Sequence, residues 1–384
     1  MNRRSFLRSL PLLYSASQFA GRTLAFAQSP SQQTSAADSG PTAARIPRWR
    51  GFNLQGKFSM PQEPYDGPAY QKFDFATMRE WGFDFARLPL SYWAWGSRDD
   101  WSVIREEPLK KIDQAIDLGK QHEIHINLNF HRIPGYCINQ RELEPADLFT
   151  GTKAERDKAM AASVYHWKAF ARRYKGIPNR QLSFDLINEP PKMRSYEGAL
   201  EERYVEIVKT LVTAIREEDP ERLIFADGIN IGQAPVLGIA DLGLVQSTRG
   251  YQPKAVSHYT ATWVPRDEFE TMAPPTWPLK DDQAQVWDRA RLKREYIDRY
   301  QPLTARGVQI HVGEWGCFNK TPHDVALAWM EDCLSLWHEA GWGFALWNLR
   351  GAFGVLDSER ADVQYEDFRG HKLDRKMVDL LRRY

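Results

Sequence analysis

The chain has 384 residues, of which 42% are hydrophobic, and its 51 basic and 50 acidic side chains nearly cancel. This length supports one large core or two ordinary ones. Because no block of like charge stands out, the sequence does not indicate a nucleic-acid partner. The 14 Trp, 15 Tyr and 19 Phe are expected mostly in the core, although aromatic faces also stack on sugars.

The first 27 residues are predicted to be an export signal. The run Arg-Arg-Ser-Phe-Leu at 3–7 is a twin-arginine pattern, an apolar stretch follows at 10–20, and Ala-Phe-Ala at 25–27 is a cleavage site. The apolar stretch is too short to span a membrane. We therefore expect a mature chain in the periplasm or outside the cell, without a membrane span. It begins with a disordered linker at 28–45, which is rich in Ser, Gln, Thr, Ala and Pro.

Strand-like runs then alternate with amphipathic helical ones. Strands are predicted at 49–54, 83–88, 124–130, 182–187, 222–226, 243–248, 308–312 and 343–347. Helices are predicted at 70–81, 108–122, 153–174, 197–218, 281–300, 323–340 and 372–383, whereas 228–242 has only a weak helical pattern. This order predicts an α/β protein with one (β/α)₈ TIM barrel over 46–384 and long loops on its catalytic face.

The alternative fold for this alternation is an open doubly wound sheet. That fold favours a glycine-rich phosphate-binding turn after its first strand. The residues after the first predicted strand contain no G-x-G-x-x-G motif, and the sequence has no P-loop. The barrel is therefore preferred.

Two apolar strand-like runs stop at a glutamate. Glu189 ends the run that begins at Leu186, and Glu314 follows the run that begins at Ile310. A barrel holds its working groups at the carboxyl ends of its strands. A single glutamate there would usually be a solvated loop carboxylate. Two from different strands are what a retaining glycosidase needs, one as acid/base and one as nucleophile, about 5 Å apart.

Several motifs together resemble glycoside hydrolase family 5, the cellulase family of clan A. They are Arg-Leu-Pro at 87–89, His131 before Pro-Gly, Asn-Glu-Pro at 188–190, Gly-Glu-Trp-Gly at 313–316 and Trp-Asn at 347–348. The resemblance implies a β-glycosidase, without a cofactor or metal, that acts on β-linked glucans or related polysaccharides and oligosaccharides. It implies Glu189 as acid/base and Glu314 as nucleophile.

The resemblance also implies substrate-binding residues. Arg87 is expected to keep Glu314 ionised, because an opposite charge lowers a carboxyl pKa, while Glu189 is expected to be the more desolvated or to gain from the neighbouring anion. Asn188 would bind a sugar 2-hydroxyl, His131 another hydroxyl, and Trp347 would form a platform under the reacting sugar. The structural alternatives are a core ion pair for Arg87, a core histidine for His131 and simple packing for Trp347.

One place departs from the family pattern. After the sixth strand most members have His-x-Tyr, and an alignment on Tyr251, His258 and Trp263 puts Arg249 at the position of that histidine. Tyr251 is then expected to donate to Glu314, and Arg249 to add fixed positive charge. His258 and Trp263 join the predicted substrate-binding residues.

Long loops are expected to wall the cleft. The loop at 251–280, with Trp263 and Trp277, is predicted on one side, and Tyr92, Trp93 and Trp95 on the other. Each tryptophan could instead anchor its own loop.

The remaining motifs predict little chemistry. Cys137 and Cys317 follow predicted strand ends and could approach each other, whereas Cys333 is expected in a helix core. The two histidines of His122-Glu123-Ile124-His125 lack H-E-x-x-H spacing, so no zinc site is predicted. The function alternatives are a carbohydrate-binding pseudo-enzyme and a transglycosylase on the same barrel. A monomer is expected.

Overall fold

The computed structural model describes residues 40–58, 69–139, 141–191, 197–264, 273–280 and 286–384. The predicted signal peptide and the linker up to residue 39 lie outside these ranges. Within the predicted linker, Thr42 and Arg45 close a turn with backbone hydrogen bonds of 3.1 and 2.9 Å. None of the described helices is long and apolar enough to cross a membrane.

Eight parallel strands pair in chain order and close into a barrel, because the last strand pairs with the first. The predicted (β/α)₈ barrel is therefore confirmed. The strands are almost continuously buried, as expected for a parallel sheet that is covered on both faces. In order, the eight are Arg50–Asn53, Phe85–Ser91, His125–Arg132, Leu182–Asp185, Ile224–Asp227, Val245–Gly250, Ile310–Trp315 and Gly343–Leu346.

Helices between the strands cover the barrel. The long ones are Lys72–Glu80, Glu106–Gln121, Lys153–Arg173, Glu197–Glu218, His323–Glu339 and the closing Arg375–Arg383. After the sixth strand, Arg289–Lys293 continues through a π turn, Arg294–Asp298, into Arg299–Thr304. Short turns of helix are Tyr92–Ala94, Arg141–Leu143, Ile229–Gly232, Leu237–Leu242 and Lys254–Ser257. The weak helical pattern at 228–242 thus corresponds to two short turns.

Five strands extend beyond their predicted ends. The second ends at Ser91 instead of 88, the third at Arg132 instead of 130, the fifth at Asp227 instead of 226, the sixth at Gly250 instead of 248, and the seventh at Trp315 instead of 312. Arg249 and Glu314 therefore lie within strands, as Arg87 also does. Their polar groups are satisfied by one another inside the barrel mouth, so polarity does not end these strands.

Two helix starts were also predicted too early. Leu279–Lys280 and Val286–Trp287 form a small hairpin, and the helical segment begins after Asp288, which accepts from the backbone of Arg291 at 2.9 Å. A second hairpin, Glu366–Phe368 with His371–Leu373, precedes the last helix. Residues 281–285 of the predicted helix lie outside the described ranges.

Aromatic and histidine rings fill the amino-terminal end of the barrel. The His125 ring stacks on Trp49 at 3.7 Å, and His311 packs on Phe85 at 4.5 Å between ring centroids. Burial lowers the pKa of His125 and of His311 to about 3, so both rings are neutral. His125 is therefore part of the core and not of a zinc site.

The expected approach of Cys137 and Cys317 does not produce a disulfide. Both are free and buried, as is Cys333. The Cys317 thiol instead donates to the carbonyl of Val256, with a sulfur–oxygen distance of 3.2 Å.

Candidate active site

Two glutamates meet one guanidinium at the mouth of the barrel. Glu189 follows the fourth strand and Glu314 lies in the seventh. Arg249 Nε donates to Glu189 Oε1 at 3.2 Å, and Arg249 Nη2 lies 3.4 Å from Glu314 Oε1. The carboxyl groups of both predicted catalytic residues therefore reach the same small space.

Glu314 is held by a cation and a phenol. Arg87 Nη1 donates to Glu314 Oε1 at 2.6 Å, and the Tyr251 hydroxyl donates to Oε2 at 3.4 Å. Arg87 is itself fixed by Asp185 at 2.8 Å and Asn53 at 3.0 Å. The structure thus places Arg87 and Tyr251 on Glu314, as the sequence predicted.

Glu189 has the opposite environment. Burial, together with the negative charge of Glu314, raises its pKa to about 8, although the nearby Arg249 acts in the other direction. Glu189 therefore holds its proton at neutral pH. Desolvation and the neighbouring anion, the two causes expected from the sequence, both raise this pKa, although the Glu189 side chain is 13% exposed and that of Glu314 only 4%.

Two further predicted residues have free polar atoms at the site. Asn188 Oδ1 accepts from Arg87 at 2.9 Å and from Arg249 at 2.8 Å, whereas its Nδ2 has no hydrogen-bond partner among the described residues. Because both guanidinium groups hold the oxygen, the amide nitrogen is the part of this side chain that remains unpaired. His131 Nδ1 is also buried without a partner in the described structure, and burial lowers the pKa of its ring well below the usual value.

An aromatic corner adjoins these groups. The Trp347 and His131 rings are nearly parallel with centroids 5.8 Å apart, and Phe58 contacts both edge-on at 5.0 and 4.6 Å. Trp347 is half-buried, which leaves part of its surface accessible. Phe58 was not predicted as a site residue, because it follows the first strand in a segment without helical or strand pattern.

Arg249 is enclosed by residues that the sequence reading missed. It is fully buried, and both oxygens of Asp227 accept from its guanidinium. A Cβ added at Gly232 would lie 2.8 Å from its Cγ, so the absence of a side chain there makes room for the arginine stem. Asp227 ends an apolar strand, which is the signal that identified the glutamates and that would also have found it, whereas Asp185 lies inside the predicted strand at 182–187.

Two other predicted substrate-binding residues, His258 and Trp263, follow Tyr251 in a row of contacting rings. His258 packs edge-on against Tyr251 at 4.8 Å, and Trp263 lies 6.1 Å from His258 with 55% of its surface exposed. Trp277, in the same loop, is half-buried and donates to Asp332 at 2.8 Å, so it anchors the loop. Residues 265–272 of this predicted wall lie outside the described ranges.

The predicted opposite wall is wrong. Tyr92, Trp93 and Trp95 are at most 1% exposed. Trp95 donates to His166 at 3.0 Å, and Trp93 stacks under the Arg132 guanidinium at 4.2 Å. These rings gain more from packing between the barrel and its helices than from contact with water.

A parallel barrel that presents two carboxyl groups at one mouth, one of them protonated at neutral pH, has the arrangement that a glycoside hydrolase needs. In the described part of the chain, no three His, Cys, Asp or Glu side chains are placed to hold a metal ion. The family model of the cellulases, glycosyl hydrolase family 5, matches residues 38–352, and the chain belongs to this family. Retaining β-glycosidase activity is typical of the family.

Relatives cover nearly the same length. Endoglucanase C of Acetivibrio thermocellus is 25% identical over 343 residues, which span 82% of this chain and 95% of that protein. Cellodextrinase A of Ruminococcus flavefaciens is 24% identical over 294 residues, 73% of this chain and 80% of that protein. A crystal structure described as a glycoside hydrolase is 38% identical, with a TM-score of 0.81 and coverage of 88% of this chain and 99% of that one.

Proposed function

We propose that this enzyme cleaves β-linked glucan chains and their oligosaccharides by double displacement, with Glu189 as acid/base and Glu314 as nucleophile. The main support for this proposal is that the Arg249 guanidinium lies 3.2 Å from a Glu189 carboxyl oxygen and 3.4 Å from a Glu314 carboxyl oxygen, while the pKa of Glu189 is raised to about 8. The similarity to an endoglucanase and a cellodextrinase supports a glucan substrate.

In the first step, a Glu314 oxygen attacks the anomeric carbon while Glu189 gives its proton to the departing glycosidic oxygen. Arg87 and Tyr251 hold the attacking carboxylate in place. The free Nδ2 of Asn188 donates to the 2-hydroxyl, a contact that strengthens as charge develops on the sugar. The products are the shortened leaving chain and a glycosyl ester on Glu314.

In the second step, Glu189 is a carboxylate and takes a proton from water. The water oxygen attacks the anomeric carbon, the ester bond to Glu314 breaks, and the sugar leaves with its original configuration. Glu189 regains its proton and Glu314 its charge, so the site returns to its starting state.

Two isosteric variants test this assignment on two substrates. Glu314→Gln should abolish hydrolysis of both an unactivated cellooligosaccharide and a dinitrophenyl β-glycoside, because the nucleophile is lost. Glu189→Gln should lose about 10²-fold or more in kcat/KM on the oligosaccharide only, because a dinitrophenolate leaves without a proton.

Glu144→Gln is a matched control. Glu144 is also buried after a barrel strand, but its carboxylate contacts Arg132 and Tyr92. This variant should preserve the ratio of the two rates. Full oligosaccharide activity in Glu189→Gln, or an α-anomer as the first product seen by NMR, would refute the proposal.

The binding-only alternative is not favoured, because a pseudo-enzyme has no use for an assembled pair of carboxyl groups. Product analysis with added acceptor sugars separates hydrolysis from transglycosylation. A screen of glucan, mannan and xylan with time-resolved product lengths identifies the sugar and distinguishes endo from exo cleavage.

We also propose export by the twin-arginine route and a monomeric mature enzyme. The Arg-Arg-Ser-Phe-Leu pattern at 3–7 supports the first. Replacing the two arginines by lysine should retain the protein in the cytoplasm. Light scattering after gel filtration should give the mass of one chain, and a dimer mass would contradict the second proposal.

A further inference from the structure

The Asp227 carboxylate joins two parts of the site that the reaction needs together. Asp227 ends the fifth strand and is fully buried. Its Oδ1 accepts from Arg249 Nη1 at 3.0 Å, and its Oδ2 accepts both from Arg249 Nη2 and from the backbone N–H of Glu189 at 2.8 Å. One side chain therefore holds the main chain of Glu189 and the guanidinium that contacts its carboxyl group.

The backbone of Glu189 needs such support. Its φ is +48°, in the left-handed region that a residue with a side chain rarely adopts. Its N–H donates to Asp227, and its carbonyl accepts from the Tyr136 hydroxyl at 2.6 Å. Strained backbone persists at functional sites where the surrounding contacts determine it from several sides.

Asp227 also balances charge next to Glu189. Arg249 Nε lies 3.2 Å from Glu189 Oε1, and alone this cation would favour the ionised form of an acid that must carry a proton. Both oxygens of Asp227 pair with that guanidinium and offset its charge. The charged groups that face Glu189 are Glu314, Asp227, Arg249 and Arg87. The nearby phenols of Tyr136 and Tyr251 and the Cys137 thiol have raised pKa values and stay neutral.

We propose that Asp227 is a positioning residue for Glu189, which it serves by fixing the Glu189 backbone and by compensating the charge of Arg249. This inference rests on the proposed role of Glu189 as acid/base. Asp227 touches no reacting atom and acts only through its two partners.

The alkaline limb of the pH profile of kcat/KM measures this role, because it reports the pKa of the free enzyme's acid. Asp227→Asn keeps an oxygen for the Glu189 N–H but leaves Arg249 uncompensated, so the limb should move down by about one pH unit. Arg249→Gln leaves the Asp227 anion uncompensated and should move the limb up by a similar amount. Asp227→Asn/Arg249→Gln removes both charges and should return the limb close to that of the wild type.

The matched control is Asp185→Asn. Asp185 is equally buried at the end of the adjacent strand, but it pairs with Arg87 and not with Arg249. Its replacement should move the alkaline limb less than Asp227→Asn does. A second readout is the leaving group: Asp227→Asn should lose about ten-fold or more in kcat/KM on a cellooligosaccharide and much less on a dinitrophenyl β-glycoside.

The positioning role of Asp227 and the proposed function fail on different results. An equal loss on both substrates with an unmoved alkaline limb would overturn the positioning role. A thermal melt shows whether Asp227→Asn folds. If it does not fold, Arg249→Gln and the double variant test the inference instead. An alkaline limb that does not move in Arg249→Gln would then reject the inference. The proposed function fails separately, if Glu189→Ala keeps its oligosaccharide activity or yields no β-glycosyl azide when azide is added to the aryl glycoside.

Discussion

Gly232→Ala tests how tightly the fold holds Arg249. Gly232 has φ +69°, and a Cβ there would lie 2.8 Å from Arg249 Cγ. A side chain in the left-handed region costs about 1–2 kcal/mol. Carbon atoms normally approach to about 3.5–4.0 Å, so the stem of Arg249 must also shift, which adds about 1–3 kcal/mol of overpacking. The free energy of unfolding should therefore fall by about 2–5 kcal/mol.

Gly341→Ala is the matched control. Gly341 has φ +73°, and nothing lies within 4 Å of a Cβ built there, so this variant should lose only the backbone contribution. Urea unfolding measures both losses. Because Arg249 contacts both glutamates, Gly232→Ala should also lower kcat on a cellooligosaccharide about ten-fold, whereas Gly341→Ala should not. Equal stability losses in the two variants, or full kcat in Gly232→Ala, would refute the reasoning.

Three further outcomes are expected. The alkaline limb of kcat/KM for the wild type should lie near pH 8, the pKa of Glu189, and a limb near the ordinary carboxyl range would contradict that environment. The pKa values of His125 and His311 are lowered to about 3 in the folded protein. Between pH 6.5 and 3 the unfolded state therefore binds more protons than the folded state, so the free energy of unfolding should fall as the pH drops from about 6.5 toward 3. The urea midpoint should depend less on pH in His311→Phe than in the wild type, and an unchanged slope would exclude this histidine as a source. Trp263 is 55% exposed, so Trp263→Ala should raise KM for long oligosaccharides and leave a short aryl glycoside unaffected; an equal change on both would place it outside the binding surface.

The strand-end pattern singled out Glu189 and Glu314 from the sequence because two carboxyl groups after apolar runs of different strands meet at one mouth of a barrel, and the structure brings both to Arg249. The same reasoning stopped short of Asp185 and Asp227, which end the fourth and fifth strands. Their role depends on which arginine each one meets across the barrel, and that pairing is a property of the closed sheet. The sequence does not contain it in any local pattern.

Aromatic residues were the least predictable part of the cleft. Trp93 and Trp95 follow a strand end, as Trp347 does, yet only Trp347 keeps part of its surface open. The difference arises from distant partners, such as Arg132 over Trp93 and His166 beside Trp95. A tryptophan gains from burial in either place, so its neighbours in the fold determine which one it occupies.

The space that Gly232 leaves for Arg249 couples three positions of the chain. Replacing Arg249 by histidine would remove the guanidinium partner of the Asp227 carboxylate and open a void beside Gly232. Conversely, an arginine introduced into another member of the family would need both an acid and a glycine at the matching positions. Substitutions at these three positions are therefore expected to be non-additive, so that changing all three together costs less than the sum of the single changes.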